Sequence, residues 1–421
     1  MEKNKDALKN LSDILSRYGE VELENLTLNA ENLEITLKPN ASANVSDIFL
    51  KKELVRAFAE LGKVLSGLSV ATPAVPTLAP PLPPRPKELP EIEYHLPVRE
   101  YPGKLVEVTL GATKSQGGTR GKTLTIGGES MPAFHLFEKP QPHPPIIAGD
   151  VFDTPISLPS PVSKSFGKET LKDPLAWAKM WVEKFGADII DLELISTDPY
   201  TKDTPVNEAV KLVEDMLQTV DVPLMIGGSG NPEKDAKLMP KVAEVCSGER
   251  ILLSSATIDM WEPVAKAAKE YNQVVLAWTS IEMNQAKELN RRLFGYIPPE
   301  QIVMDPTSAA LGYGLEYAFT VMERIRLAAI MGDKELQCPQ GSGTANSWGA
   351  REAWKTDPEL GPRNYRGPMW ETAGALTYLL AGIDLFIMLH PGAVRTIKDV
   401  MGWLMGEKKP PTFPEWIGIG K

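Results

Sequence analysis

Residues 301–344 read QIVMDPTSAALGYGLEYAFTVMERIRLAAIMGDKELQCPQGSGT. A short apolar run, Ile302-Val303-Met304, stops at Asp305-Pro306. A helical stretch follows, on which Ala318, Met322, Ile325 and Ala329 share one face at three- and four-residue spacing. Gly332 is placed to close it as a left-handed cap. A second apolar run, Leu336 to Pro339, reads as the next strand and leads into a glycine-rich loop, Gln340 to Thr344. The stretch is one strand–helix–strand unit with its polar and glycine residues gathered where the strands end. In a parallel α/β protein that edge binds ligands.

The same unit repeats outward from this stretch. Short apolar runs fall at 146–148, 189–194, 224–226, 251–253, 274–277, 302–304, 336–338 and 385–389. Helical patterns separate them at about 174–186, 205–220, 232–247, 259–271, 281–294, 315–331 and 369–381, with a last one at 393–405. Eight consecutive βα units predict an α/β fold, a TIM (β/α)8 barrel, over 146–421 including a C-terminal tail. An open doubly wound sheet is the alternative, and it seldom runs to so many uninterrupted repeats.

Before the barrel, residues 1–70 read as a small α+β segment, with helices at 5–18 and 46–66 and weak strands at 21–24 and 33–37. Residues 71–95 are a linker dense in proline (ATPAVPTLAPPLPPRPKELP at 71–90), a semi-rigid spacer. Residues 96–145 form a β-hairpin lead-in, with strands at Lys104–Leu110 and Thr123–Ile126. The loop GGTRGKT between them lacks the phosphate-loop spacing and has no helix behind it. The expectation is a solvated hairpin or a partner-contact loop.

Composition narrows the function. A formal charge of −10 and a pI near 5.2 argue against a nucleic-acid surface. No run approaches the length of a membrane span, and MEKNKDALKN at the start holds no apolar signal core, so the expected compartment is the cytoplasm. Cys246 and Cys338 are the only two cysteines, too few for the usual four ligands of an iron–sulfur cluster. No H-E-x-x-H, paired-cysteine or G-x-S-x-G pattern occurs, and no metal site is expected.

The loops after the strands carry small hydroxyl, amide and glycine residues and are expected to hold few strong acids or bases. Asp305 and Asp198 are candidates for general acid–base work or for holding a heterocycle, but each precedes a proline, where aspartate also caps or turns. GGSGNP at 227–232 either offers backbone N–H groups to an anion at a helix start or makes the tight turn a βα loop needs. His390 reads as a structural, hydrogen-bonding histidine. The insertion Ser347 to Trp354 is long for a barrel loop and is expected to cover a ligand or meet a partner.

Several long runs carry a resemblance. LISTDPYTKDTP (194–205), VPLMIGGSGNPEKD (222–235), MNQAKELNRRL (283–293), residues 302–333, SGTANSWGARE (342–352), NYRGPMWE (364–371) and DLFIMLHP (384–391) are similar to the delta subunit of the archaeal acetyl-CoA decarbonylase/synthase complex, the small subunit of the corrinoid iron–sulfur protein. The resemblance implies a heterodimer with a gamma subunit that carries both the iron–sulfur cluster and the corrinoid, in contact with the acetyl-CoA synthase and CO dehydrogenase subunits. The barrel rim would then cap the corrinoid, with Ser229, Asn231, Thr307, Ser342, Gly343, Thr344 and Asn346 as contacts. A methyl group would pass between a methyl-tetrahydropterin and the synthase through cobalt, in acetyl-CoA synthesis or cleavage. This chain would bring no nucleophile. Alternatively the barrel itself binds the methyl-tetrahydropterin and acts as the methyltransferase, with Asp305, Asp198 and Asn231 holding and protonating it.

Overall fold

The computed structural model describes residues 98–308 and 314–411, together with a short antiparallel pair, Thr27–Leu28 with Leu33–Glu34. The helices expected at 5–18 and 46–66, the strand at 21–24, the proline linker and the last ten residues lie outside the described residues. The chain divides into two compact units, Met1–Glu93 and Tyr94–Lys421, and the barrel lies wholly in the second.

Alternation explains the barrel. Its strands are β3 (Ile146–Phe152), β4 (Ile189–Glu193), β5 (Leu224–Gly227), β6 (Leu252–Ala256), β7 (Val274–Trp278), β8 (Ile302–Asp305), β9 (Gly341–Ser342) and β10 (Leu385–Met388). All pair in parallel, β3 through β8 in sequence order, with β10 joining β3 on one side and β9 on the other. A parallel bridge from Met304 to Gln340, with Met304 N–H donating to Pro339 O at 2.9 Å, closes the ring between β8 and β9. Side chains at one parity, such as Ile146, Ala148, Ile189, Met225, Leu252, Val303 and Leu385, fill the interior. Those at the other parity, such as Ile147, Ile190, Ile226, Leu253 and Phe386, pack against the helices.

The helices are α1 (Ser160–Phe166), α2 (Pro174–Phe185), α3 (Val206–Thr219), α4 (Pro232–Val245), α5 (Trp261–Tyr271), α6 (Met283–Phe294), α7 (Leu315–Ile330), α8 (Arg363–Ala381) and α9 (Pro391–Leu404). Their starts are written locally. Asp173, Asn231 and His390 each precede a proline in the first turn and accept backbone N–H groups as N-caps. On α7, Ala318, Met322, Ile325 and Ala329 are buried as the spacing predicts, and Gly332 takes a φ of +102°.

Three expectations need correction. The apolar run at 336–338 is not a strand: Lys334–Leu336 is a 3-10 turn capped by Asp333, and Leu336 and Cys338 pack into the core between sheet and helices. A short apolar run has the same periodicity in either role. The strand is Gly341–Ser342, inside the expected loop. A Cβ on Gly341 would touch Leu276, Val303 and Leu385, so the interior at that point is filled by its neighbours.

The lead-in hairpin is not merely solvated. Its strands, β1 (Glu107–Leu110) and β2 (Leu124–Gly127), pair antiparallel, and Val108, Leu110 and Ile126 join the interior core. The hairpin therefore plugs the N-terminal end of the barrel, while its tip, 113–117, is exposed apart from half-buried Thr113. Finally, α8 begins at Arg363, not 369, and carries Pro368 within it.

Candidate functional site

The mouth of the barrel is rich in acids, which overturns the expected scarcity. Asp150 on β3 pairs in register with Asp191 on β4, and Glu193 follows Asp191 on the same interior face. Their neighbours are Gly227 and Ser254, residues with little bulk. A Cβ on Gly227 would lie 2.1 Å from a Glu193 oxygen, so the glycine is what lets that carboxyl lie across β5. Burial, with the mutual repulsion of the group, pushes Asp150 and Asp191 well above the usual carboxylate range, and burial lifts Glu193 to about 7. A strand bearing acids at alternate positions, Ile189-Ile190-Asp191-Leu192-Glu193, was the sequence signal for this layer.

Glu371, on α8, is a further acid that the residue pattern did not single out. Its carboxyl accepts Leu389 N–H at 2.6 Å and His390 N–H at 3.0 Å, clamping the end of β10. Burial still raises it to about 7. His390 caps α9 by accepting Gly392 N–H on Nδ1 at 3.1 Å, and burial lowers its pKa to about 4. That is the structural histidine expected.

Asp305 ends β8, is buried, accepts Thr307 N–H at 2.8 Å, and is lifted by burial to about 7. Thr307 has a φ of +71°, and its hydroxyl donates to Thr279 O. Beside it Ser308, Ser342 and Thr344 form a buried hydroxyl chain, with contacts of 2.5 and 2.8 Å. Gly343 packs beside Asn346, which is exposed.

Asp198 and Asn231 serve local roles. Asp198 accepts Tyr200 N–H at 2.9 Å, and Asn231 accepts Glu233 and Lys234 N–H as the cap of α4. Within GGSGNP the amides do meet an anion, but it is the chain's own Asp235, which takes Ser229 N–H, Ser229 Oγ–H and Gly230 N–H. These residues follow β4 and β5, whereas Asp305 ends β8. The ring order sets the two groups on opposite sides of the mouth.

The insertion folds down onto α8. Trp348 is buried, and a Cβ on Gly367 would meet its indole at 2.1 Å. Outside this contact the rim is aromatic. Every exposed tyrosine and tryptophan among the described residues lies at this end: Tyr200, Trp278, Tyr317, Trp354, Tyr365 and Trp370, with Met369 beside them. Phe137, in the lead-in before β3, is also exposed, but exposed tyrosines and tryptophans gathered at one end mark an interaction surface.

Among the described residues no group of three histidine, cysteine, aspartate or glutamate side chains is arranged for a metal ion. Both cysteines are buried, and burial raises both thiols, Cys246 to about 12. At the opposite end an open depression of about 460 Å3 lies over Arg120, whose guanidinium is already bonded to Glu249 and to the Leu217 and Val220 carbonyls. No helix among the described residues is long and apolar enough to cross a membrane.

Comparison with known proteins adds the following. Residues 107–359 match the family model described as CO dehydrogenase/acetyl-CoA synthase delta subunit. The acetyl-CoA decarbonylase/synthase complex subunit delta of Archaeoglobus fulgidus is 46% identical over 96% of each chain. Subunit delta 1 of Methanosarcina thermophila is 47% identical over 82% of each, and subunit delta of Methanocaldococcus jannaschii is 42% identical over 93% of this chain and 91% of its own. Among solved structures, 7,8-dihydropteroate synthase from Vibrio fischeri aligns at 17% identity with a TM-score of 0.46, over 64% of this chain and 95% of that one.

Proposed function

The chain belongs to the CO dehydrogenase/acetyl-CoA synthase delta-subunit family, and from that premise we propose that its barrel mouth caps a corrinoid held by a gamma subunit within an acetyl-CoA decarbonylase/synthase complex. When bound, the corrinoid would supply the cobalt chemistry of methyl transfer between a methyl-tetrahydropterin and the synthase subunit. The chain's own share is positioning and the exclusion of water. One observation carries this reading: exposed tyrosines and tryptophans lie around a mouth whose carboxyls burial shifts toward the uncharged form. Such a surface suits a broad, largely apolar partner face.

The residues fit a cap. His390, the one histidine at this end among the described residues, spends its Nδ1 lone pair on the Gly392 N–H as the cap of α9. Ser229, Thr307, Ser342 and Thr344 shape the rim from within, their hydroxyls bonded to Asp235, to the Thr279 carbonyl and to one another. Cys246 and Cys338 are both buried, and the iron–sulfur cluster would be carried by the partner.

A second reading has its own support. Asp305 is a buried carboxyl lifted to about 7, poised to give or take a proton from a heterocycle in the mouth. Were the barrel the methyltransferase, Asp305 would do this work. Asp198 and Asn231 would have to leave the turn and the cap that now occupy them.

Cobalt methylation by methyl-tetrahydropterin separates the two, with gamma subunit plus wild-type chain, Asp305→Asn, Met369→Glu, or no added chain. The cap reading expects Asp305→Asn to keep the wild-type rate. It expects Met369→Glu to weaken the heterodimer roughly tenfold, as loss of an interface anchor does. Loss of methylation by Asp305→Asn in an intact heterodimer would sink the cap reading in favour of the methyltransferase. Undiminished methylation by gamma alone would sink both.

A further inference from the structure

The rim insertion is built differently from the barrel around it. Between β9 and α8 the chain makes 3-10 turns, Thr344–Gly349, Arg351–Ala353 and Pro358–Leu360, and no longer element. The backbone N–H groups of Asn346, Ala350, Ala353, Trp354 and Lys355 all bond to carbonyls between Gly343 and Arg351, so they tie the segment to itself and not to the barrel. From 354 to 365 every residue is exposed except half-buried Asp357. Glycines stand at both ends: Gly343, and Gly361 with a φ of +73°, a conformation that favours glycine.

Trp348 and Arg366 join the insertion to α8, and neither completes its hydrogen bonds. Trp348 is buried against Gly367, with its ring 6.0 Å from that of His390. Its indole N–H faces the Glu371 carboxyl, which the Leu389 and His390 N–H groups already occupy, and is buried short of a full hydrogen bond. Arg366 reaches back from α8 to the carbonyls of Glu352 at 3.2 Å and Lys355 at 2.5 Å, while its Nε–H is buried without an acceptor. A buried donor left unpaired is costly, so this seat is weaker than the burial of Trp348 suggests. Self-contained backbone bonds, glycine ends and an unfinished seat are the marks of a segment that opens by itself.

We propose that residues 344–362 form a lid that lifts from α8 as one unit while the barrel stays folded, pivoting at Gly343 and Gly361 and latched by Trp348 in its seat on Gly367 and Glu371. Lifting uncovers Glu371, the carboxyl that faces Asp150 of the mouth, and takes Trp354 and Leu360 out of the exposed rim. One movement therefore changes both the mouth and the face offered outward. The lid needs no gamma subunit or cobalt, so its failure leaves the capping role untouched, and failure of that role leaves the lid standing.

Native-state hydrogen exchange on the full chain, read by mass spectrometry in urea below the unfolding transition, tests it. The amides of Asn346, Ala350, Ala353, Trp354 and Lys355 are expected to share one opening free energy, lower than that of the barrel strands. Its dependence on urea should be weaker than theirs, because lifting a lid exposes less surface than unfolding does. Arg366→Ala leaves Trp348 and the core in place and should speed exchange of these amides roughly tenfold, with the strands unchanged. Trp348→Ala should remove most of their protection. The proposal is overturned if these amides exchange only together with the strands, if they show no protection in the wild-type chain, or if Arg366→Ala or Trp348→Ala leaves their exchange unchanged.

Discussion

Gly367 stands in the second turn of α8, where the rim insertion lays the Trp348 indole against the helix backbone. A Cβ there would lie 2.1 Å from the ring, closer than any real contact. In an exposed helix interior, exchanging glycine for alanine stabilises by about 1 kcal/mol. Here the sign should reverse. Gly367→Ala is expected to destabilise by about 1–3 kcal/mol, the usual range for overpacking a core, read from urea unfolding at constant m-value. A gain in stability would mean that Trp348 moves aside without loss. The same logic explains the paired glycines of GGSGNP, since Cβ atoms on Gly227 and Gly228 would strike the carboxyls of Glu193 and Asp235. The sequence showed these glycines. It did not show that each answers a side chain from another element.

At the scale of elements, the β1–β2 hairpin is legible as a hairpin and illegible as a plug. Alternation in KLVEVTL says that one face is buried, but not what covers it. The cover is the N-terminal end of the barrel, where Val108, Leu110 and Ile126 join Ile146, Leu252 and Val303. Ile126→Ala should therefore cost about 2–5 kcal/mol, a buried-core value rather than a surface one. Equilibrium denaturation measures it, and a change below about 0.5 kcal/mol would return the hairpin to the surface role its composition suggested. β9 lies outside the apolar run at 336–338 for a related reason. Leu336 and Cys338 are apolar because they pack between α7 and the sheet, while the true strand is glycine and serine because its neighbours fill the interior.

Over the whole molecule, buried carboxyls set the response to pH. Burial pushes Glu193, Asp305 and Glu371 up to about 7, well above the usual carboxylate range near 4. Below pH 4 both folded and unfolded chains hold these protons, and the groups contribute nothing. Between about pH 4 and pH 7 the unfolded chain releases protons that the fold retains, so stability falls as pH rises, and the loss is complete above about 7. The melting temperature at pH 5.5 is expected to exceed that at pH 8 by roughly 5–10 °C, and a flat or rising profile from differential scanning calorimetry would contradict the burial described. The sequence by itself determined the barrel and the family, because eight apolar runs separated by amphipathic helices admit few other folds and because the matching runs are long. It also determined the caps, since Asp173, Asn231 and His390 act on amides two or three residues away. Only the tertiary structure decided the mouth. Asp150, Glu193, Asp305 and Glu371 are far apart along the chain, and their acidity depends on water removed by neighbours that only the closed barrel brings together.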